Sequence, residues 1–365
     1  MCLYPTLIKN RKYVANKKNG GVIPPIPDER VKWVAIGCQQ CIECRKQKAR
    51  EWQIRLQEDL KHNANAKFIT LTFSNECILK LKEQIDKKMS VDDDGKLTET
   101  PLEGYELDNE IATQAVRYFL ERWRKKYKKS LRHWLVTELG HEGTENIHLH
   151  GIVWTDNLDE VERIWQYGYV WKGKKHYNEI INYVNEKTVN YIVKYVNKID
   201  EKHKEYKSKI LTSPGIGNGY MKRSDWIKNV YKGTETKTTY RTKSGHDMAM
   251  PIYFRNKVYS EKERELLWIH LLDKQERWVC GERVDISEND DEYWKLLEYH
   301  RKRNKTLGYG DGVKDWSRSQ YEKERRQMMM SKRLEAAKKN IQKKTVFSKI
   351  GEINYLEVVL KRDKR

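Results

Sequence analysis

The chain has 365 residues, a formal net charge of +20, 38% hydrophobic residues and 35% charged ones. That balance supplies enough apolar side chain for a sizeable core and excludes the disordered class, while the positive excess calls for a polyanionic partner, nucleic acid first and an anionic membrane surface second. No apolar run approaches the length of a spanning helix, and Met1–Thr6 lacks the charged-then-apolar order of a signal peptide, so the expectation is a soluble, cytosolic protein with no membrane partner.

Residues 1–37 read as an extended arm, with Lys17, Lys18, Gly20 and Gly21 followed by Pro24, Pro25 and Pro27. Next comes Cys38-Gln-Gln-Cys41-Ile-Glu-Cys44, with Cys2 available as a fourth sulfur. In a reducing compartment six cysteines are not a disulfide framework, and two-residue gaps let neighbouring thiolates wrap one tetrahedral ion. A structural zinc site is the expectation; an iron–sulfur site uses similar spacing, and three ordinary half-buried cysteines are the plain alternative. Cys77 and Cys280 read as core or incidental residues.

A basic helical pattern runs from Arg45 to about His62, with Trp52, Leu56 and Leu60 on one face and Arg45, Lys46, Lys48, Arg50 and Arg55 elsewhere. It can contact DNA together with the cysteines, or simply pack its apolar stripe. Phe68–Phe73 alternates cleanly as a strand, Ile69, Leu71 and Phe73 on one face, Thr70 and Thr72 on the other, where hydroxyls could meet phosphate. From Ser74 to Asp108 the pattern predicts an inserted helix and a loop. Asp92–Asp94 within it lack calcium-loop spacing and read as a solvated turn. Ile111, Ala115, Phe119, Trp123 and Tyr127 then predict a helix over 109–129 with Asp108 as its N-cap.

Two alternating segments follow, Trp134–Glu138 and Asn146–Trp154, separated by a glycine-rich charged loop, which predicts an antiparallel hairpin. A turn centred near Gly143 sets Glu138 opposite His148, and His148 and His150, two apart, share a face. Two imidazoles and a carboxylate converging on one point of a sheet suit a divalent cation with open coordination positions. The competing reading is a pair of core histidines. A short helix over 159–165 and a strand near Gly168–Lys172 complete an order that suits an antiparallel sheet covered by helices on one face, an α+β arrangement.

Lys187–Lys198 forms the second decisive stretch. Val189, Ile192, Val193 and Val196 fit one helical face, leaving Tyr191 and Tyr195 one turn apart on another, with Lys194 and Lys198 three residues after each tyrosine. A phenol with a pKa near 10 is the nucleophilic phenolate in roughly one molecule in a thousand at neutral pH, so it needs positive charge nearby. A cation at Glu138, His148 and His150 could polarise a phosphodiester, and the lysines could stabilise developing charge or protonate the leaving oxygen. The product would be a covalent phosphotyrosine, and two tyrosines would permit two successive transfers.

Beyond Asp200, Thr238–Phe254 predicts a hairpin turning at Ser244-Gly245, and Gly215, Gly217 and Gly219 predict a flexible connection. Helices are expected over 261–274 and 292–302, and a highly charged, solvated or DNA-stabilised helix over 316–344.

Phe68–Phe73, His148-Leu-His150 and Tyr191-Ile-Val-Lys194-Tyr195-Val-Asn-Lys198, in that order, resemble the three motifs of the HUH endonucleases that initiate rolling-circle replication. Met1–Pro5, the Cys38–Cys44 cluster with the following Arg45–Trp52, and the paired tyrosines are similar to replication initiators of gokushoviruses, single-stranded DNA phages of the Microviridae. The resemblance implies an α+β HUH endonuclease fold with a five-stranded antiparallel sheet flanked by helices. The N-terminal cysteine cluster and a helical, basic C-terminal extension lie outside its three motifs. It implies Mg or Mn held by His148, His150 and, less securely, Glu138, and nicking of origin single-stranded DNA in the host bacterial cytoplasm. A 5′ phosphotyrosyl link would form at Tyr191 or Tyr195, leaving a 3′ hydroxyl for the host polymerase. No helicase motif is present, so a host helicase would unwind the duplex. The corresponding organisation is 1–62 as arm, cluster and basic helix, 63–200 as the endonuclease core, 201–260 as a hairpin extension and 261–365 as a charged helical region. Two alternatives stand beside it: a non-catalytic nucleic-acid-binding protein with a structural zinc site, and a zinc-stabilised structural partner for a capsid or replisome.

Overall fold

In the computed structural model the alternating segment at 66–71 is the strand β1 (Ala66–Leu71), with Ile69 and Leu71 fully buried. The structure describes residues 2–89, 102–177, 179–243, 245–312, 321 and 323–342. The expected turn at Asp92–Asp94 and the Ser244 half of the expected Ser244-Gly245 turn lie outside them. Four further strands follow in the chain: β2 (Arg132–Leu139), β3 (Ile147–Trp154), β4 (Val170–Trp171) and β5 (Ile210–Thr212). They form one five-stranded antiparallel sheet in the order β4-β1-β3-β2-β5. The chain is α+β, and it divides into two compact units: residues 67–182, 205–211 and 315–365 in the sheet unit, and 1–66, 183–204 and 212–314 in the other.

In the sheet unit, β2 and β3 pair from Arg132↔Trp154 to Leu139↔Ile147, closed by a loop in which Gly143 takes a positive φ of 60°. Period-two alternation then separates the two faces. Leu135, Leu139, Ile147, Leu149 and Val153 join Ile69, Leu71 and Phe73 in one apolar core, covered by the helices Asn75–Met89 and Gly104–Tyr127. Glu138, His148 and His150 point to the opposite face. Gly151 is required where it stands, because a Cβ there would come within 2.1 Å of the Trp134 carbonyl oxygen.

Three sequence expectations in this unit are corrected. Asp108 is not an N-cap: the helix starts at Gly104 with Glu103 in the cap position, and Asp108 is buried one turn inside. Its carboxylate binds Arg326 Nε at 2.9 Å and Arg333 Nη1 at 3.2 Å. The charged C-terminal helix, described over 323–342, is therefore docked rather than solvated; Arg333 is fully buried, with Met329 and Ala337 beside it on the buried face. The same arginines hold the hairpin loop, since Arg326 Nη1 lies 3.3 Å from Glu145 Oε2 and Arg333 Nε donates to Asn146 Oδ1 at 2.8 Å.

The other unit begins not with an extended arm but with a ladder, Thr6–Lys9 pairing antiparallel with Trp33–Ile36. The helix Ile42–Leu60 follows and buries Ile54, Leu56, Glu58 and Asp59. Ile54 joins Tyr220, Tyr240, Met250, Phe254, Tyr259 and Leu267 in an apolar cluster. The buried Glu58 carboxylate accepts from Arg223 Nη1 at 2.7 Å, from Lys61 Nζ at 2.5 Å and from the Tyr240 hydroxyl. The glycine segment at 215–219 is a packed turn instead of a flexible connection: Gly217 N–H donates to Asp59 Oδ1 at 2.9 Å, and a Cβ on Gly217 would meet the Arg55 carbonyl oxygen at 2.8 Å. The expected hairpin over 238–254 is shorter, Thr239–Arg241 with Asp247–Ala249, because Pro251 starts the helix Ile252–Val258. Helices Glu261–Asp273 and Asp291–Thr306 match expectation, with an unforeseen hairpin, Glu276–Val279 and Glu282–Asp285, between them.

Candidate active site

The β2–β3 register places Glu138 directly across from His148. Both imidazoles turn Nε2 toward one carboxylate oxygen, Glu138 Oε2, at 3.2 Å for His148 and 2.9 Å for His150. The two rings meet edge to face with centroids 4.8 Å apart. Their other nitrogens are engaged from behind: His150 Nδ1 lies 3.0 Å from Thr70 Oγ1 on β1, and His148 Nδ1 lies 3.4 Å from the Asn146 carbonyl oxygen. A carbonyl can only accept, so it favours the proton of His148 on Nδ1 and the lone pair on Nε2. Phe68 stacks on His150 with planes 9° apart and centroids 6.4 Å apart, restricting its rotation.

These details answer whether the donor set fits a metal. The three ligand atoms lie within 4.8 Å of one another, the histidines are anchored at their outer nitrogens, and two imidazoles with one carboxylate leave coordination positions for substrate and water. Burial would raise the Glu138 carboxyl, but the contacts with His148 and His150 outweigh it and hold the group well below the usual carboxylate range. The carboxylate is therefore ready as an anionic ligand at neutral pH. The group could bind a catalytic metal.

Behind Glu138 lies a buried polar relay that motif reading missed. Tyr206 donates to Thr137 Oγ1 at 2.6 Å, Thr137 donates to Asn109 Oδ1 at 2.7 Å, and Lys209 N–H donates to Thr137 Oγ1 at 2.7 Å. The segment before β5 is thus fastened to the residue preceding the carboxylate. Thr70, expected as a phosphate contact, turns its hydroxyl to a histidine instead. The signal for that was present in the alternation, which put Thr70 on the face of β1 opposite Ile69 and Leu71.

The tyrosines occupy the other unit. The expected single helix is two, Glu186–Ile192 and Lys194–Asn197, parted at Val193. The run is rich in β-branched residues, which weakens its helical preference. Despite the break the hydroxyls of Tyr191 and Tyr195 lie 2.7 Å apart, with rings edge to face at 5.6 Å. Both helices rest on Ile42–Leu60 through two polar ties: Arg45 Nη1 donates to the Lys198 carbonyl oxygen at 2.9 Å, and Gln53 Nε2 donates to Asn190 Oδ1 at 2.8 Å. Lys194 and Lys198 are solvent-exposed.

At the start of that supporting helix Cys2, Cys38, Cys41 and Cys44 converge, with all four sulfurs within 4.8 Å of one another and Cys2 and Cys41 at 3.8 Å. The cluster could hold a structural metal such as zinc. Cys280 belongs to the adjoining apolar cluster but not to the quartet, and Cys77 lies in the sheet unit.

Residues 66–200 match a family model for a replication-associated protein of the ORF2 type. The matched segment, a little over a third of the chain, contains Glu138, His148, His150, Tyr191, Tyr195, Lys194 and Lys198 and excludes the four clustered cysteines. It supports a replication-initiator family, with DNA replication as the setting and DNA as the partner. No curated protein and no solved structure gives a significant match. Among the described residues no helix is long and apolar enough to cross a membrane.

Proposed function

We propose that the protein is a replication initiator of the HUH type: a metal-dependent endonuclease and strand transferase that nicks one strand of an origin through a 5′-phosphotyrosine. The observation that carries this reading is the pair of Nε2 atoms facing a single Glu138 oxygen, each imidazole anchored at Nδ1, within a segment that matches a replication-associated family. His148, His150 and Glu138 would hold Mg or Mn. When bound, the ion supplies Lewis-acid polarisation of the scissile phosphate.

The remaining work falls to the chain's own groups. A phenolic oxygen of Tyr191 or Tyr195 attacks phosphorus in line, its proton leaving as the P–O3′ bond breaks and the 3′ oxygen departs to be protonated. The second phenol, within hydrogen-bond distance of the first, can donate to the attacking oxygen and steady its charge as the proton is lost. Lys194 and Lys198 supply positive charge for the phosphate and a proton for the leaving oxygen. With one phenol esterified, the other remains for a second transfer that rejoins the strand. The released 3′ hydroxyl primes a host polymerase, with a host helicase opening the duplex, in the cytoplasm of a bacterium infected by a small single-stranded DNA phage of gokushovirus type.

The deciding experiment incubates the full chain with single-stranded origin DNA and Mn. It looks for a metal-dependent covalent protein–DNA adduct that His148→Ala and His150→Ala abolish. An equal adduct in the presence of a chelator, or none with any origin strand, removes the enzyme reading and leaves a nucleic-acid-binding protein.

A further inference from the structure

The four cysteines bear no part in the chemistry above, yet their geometry is specific. A tetrahedral ion with metal–sulfur bonds of about 2.3 Å sets its ligand sulfurs about 3.8 Å apart. Cys2 and Cys41 stand at 3.8 Å, and all four sulfurs lie within 4.8 Å of one another. That separation is too long for a disulfide, and all four cysteines are free. It is also too tight to enclose a cube of iron and sulfide, whose thiolates stand outside the cluster.

The surroundings are those of thiolates. Cys2 Sγ accepts backbone N–H groups from Tyr4 at 3.3 Å and Cys38 at 3.2 Å, and Cys38 Sγ accepts from Cys41 N–H at 3.2 Å. The hydrogen bond with Cys2 is the chief influence that draws the Cys41 thiol down to about 6. Leu3, Val279 and Leu297 exclude water around Cys41, which is fully buried. Gly37 is required beside them, since a Cβ there would come within 2.9 Å of Cys44 Sγ.

We propose that Cys2, Cys38, Cys41 and Cys44 bind one tetrahedral zinc ion, and that this ion positions the Tyr191 and Tyr195 helices through the helix Ile42–Leu60. The ion replaces the thiol protons, which pass to solvent, and pins Cys44 in the first turn of that helix. Arg45, the next residue, is the donor to the Lys198 carbonyl, so the ion fixes the platform on which both tyrosines rest. The positioning claim concerns backbone order and holds whether or not the tyrosines are nucleophiles.

Elemental analysis of the full chain, purified under reducing conditions, should give one zinc per chain that survives dialysis against a chelator. Cobalt(II) in its place should show the charge-transfer and ligand-field bands of a tetrahedral thiolate site. Zinc should be retained in a Glu138→Ala/His148→Ala double variant and in Cys280→Ser, and lost from Cys41→Ser and Cys44→Ser. A mercurial titration of wild-type protein, releasing zinc as four thiols react, makes the same measurement should those serine variants not fold. Zinc-free folded protein, an octahedral cobalt spectrum, or loss of metal with Glu138 and His148 but not with the cysteines overturns the site. For the positioning claim, hydrogen exchange after zinc removal should quicken over 42–60 and 186–198 and stay unchanged over 132–154. Unchanged exchange at 186–198, or equal acceleration throughout, overturns that part.

Discussion

Tyr191 and Tyr195 meet hydroxyl to hydroxyl at 2.7 Å across a helix that is broken between them at Val193. A pair so close is chemically interchangeable at the first step, because either oxygen can accept from the other. Tyr191→Phe and Tyr195→Phe singly should each leave a covalent DNA adduct, with the rate lowered about 10- to 100-fold by loss of the supporting hydrogen bond. The double variant should form none. Denaturing gel shift of labelled DNA decides it, and an adduct in the double variant assigns the nucleophile elsewhere.

The hydroxyl behind His150 gives a second test, on affinity instead of turnover. Thr70→Val keeps the shape of β1 and removes the hydroxyl that His150 Nδ1 meets at 3.0 Å. Manganese affinity, measured by electron paramagnetic resonance or calorimetry, should fall about 10- to 100-fold, the range for losing an outer partner of a metal-ligating histidine. Unaltered affinity would mean that Thr70 does not orient the ring.

How far the sequence reaches is visible in these two sites. The β2–β3 register was legible because it is set locally: period-two alternation and a glycine turn suffice to put Glu138 opposite His148. The tyrosine pair was legible as spacing, but not as two helices, since the break depends on packing that spacing does not encode. The docked C-terminal helix was not legible at all. Arg326, Met330, Arg333 and Ala337 recur at helical intervals as an apolar stripe would, yet two of the positions are arginines, and a pattern reading assigns arginine to solvent. Their partners, Asp108 and Glu145, are distant in sequence, and no local rule connects them.

That docking makes a prediction about stability. Arg333 is fully buried and its guanidinium serves Asp108, Asn146 and the Glu145 carbonyl together. Arg333→Ala strands a buried carboxylate and should cost about 3–5 kcal/mol in urea unfolding of the chain. Asp108→Ala should cost a similar amount, and the double variant less than the sum, because each single change already breaks the shared pair. Additive losses would show that the two residues stabilise the protein independently.

Glu58 predicts the acid response of the other unit. Burial would raise its carboxyl, but Lys61, the Tyr240 hydroxyl and Arg223 together bring it below the ordinary value of 4.5. A carboxylate depressed in the folded state contributes stability that is complete above the unfolded-state pKa and drains away as pH falls through the folded one. Loss should therefore begin below about pH 5 and continue downward. Glu58→Gln should lower stability at pH 7 and flatten the acid limb, followed by thermal unfolding across pH; an acid limb of undiminished slope would assign the sensitivity to other carboxylates.

The loop that closes the histidine hairpin is gripped by Arg326, 181 residues further along the chain than Glu145. On the ribosome the strands bearing His148 and His150 emerge and pair long before their clamp is translated. Until that last helix arrives, Glu145 and Asp108 wait without the guanidinium groups that neutralise them. Synthesis thus carries its own timing: the histidine hairpin is assembled early but locked only late.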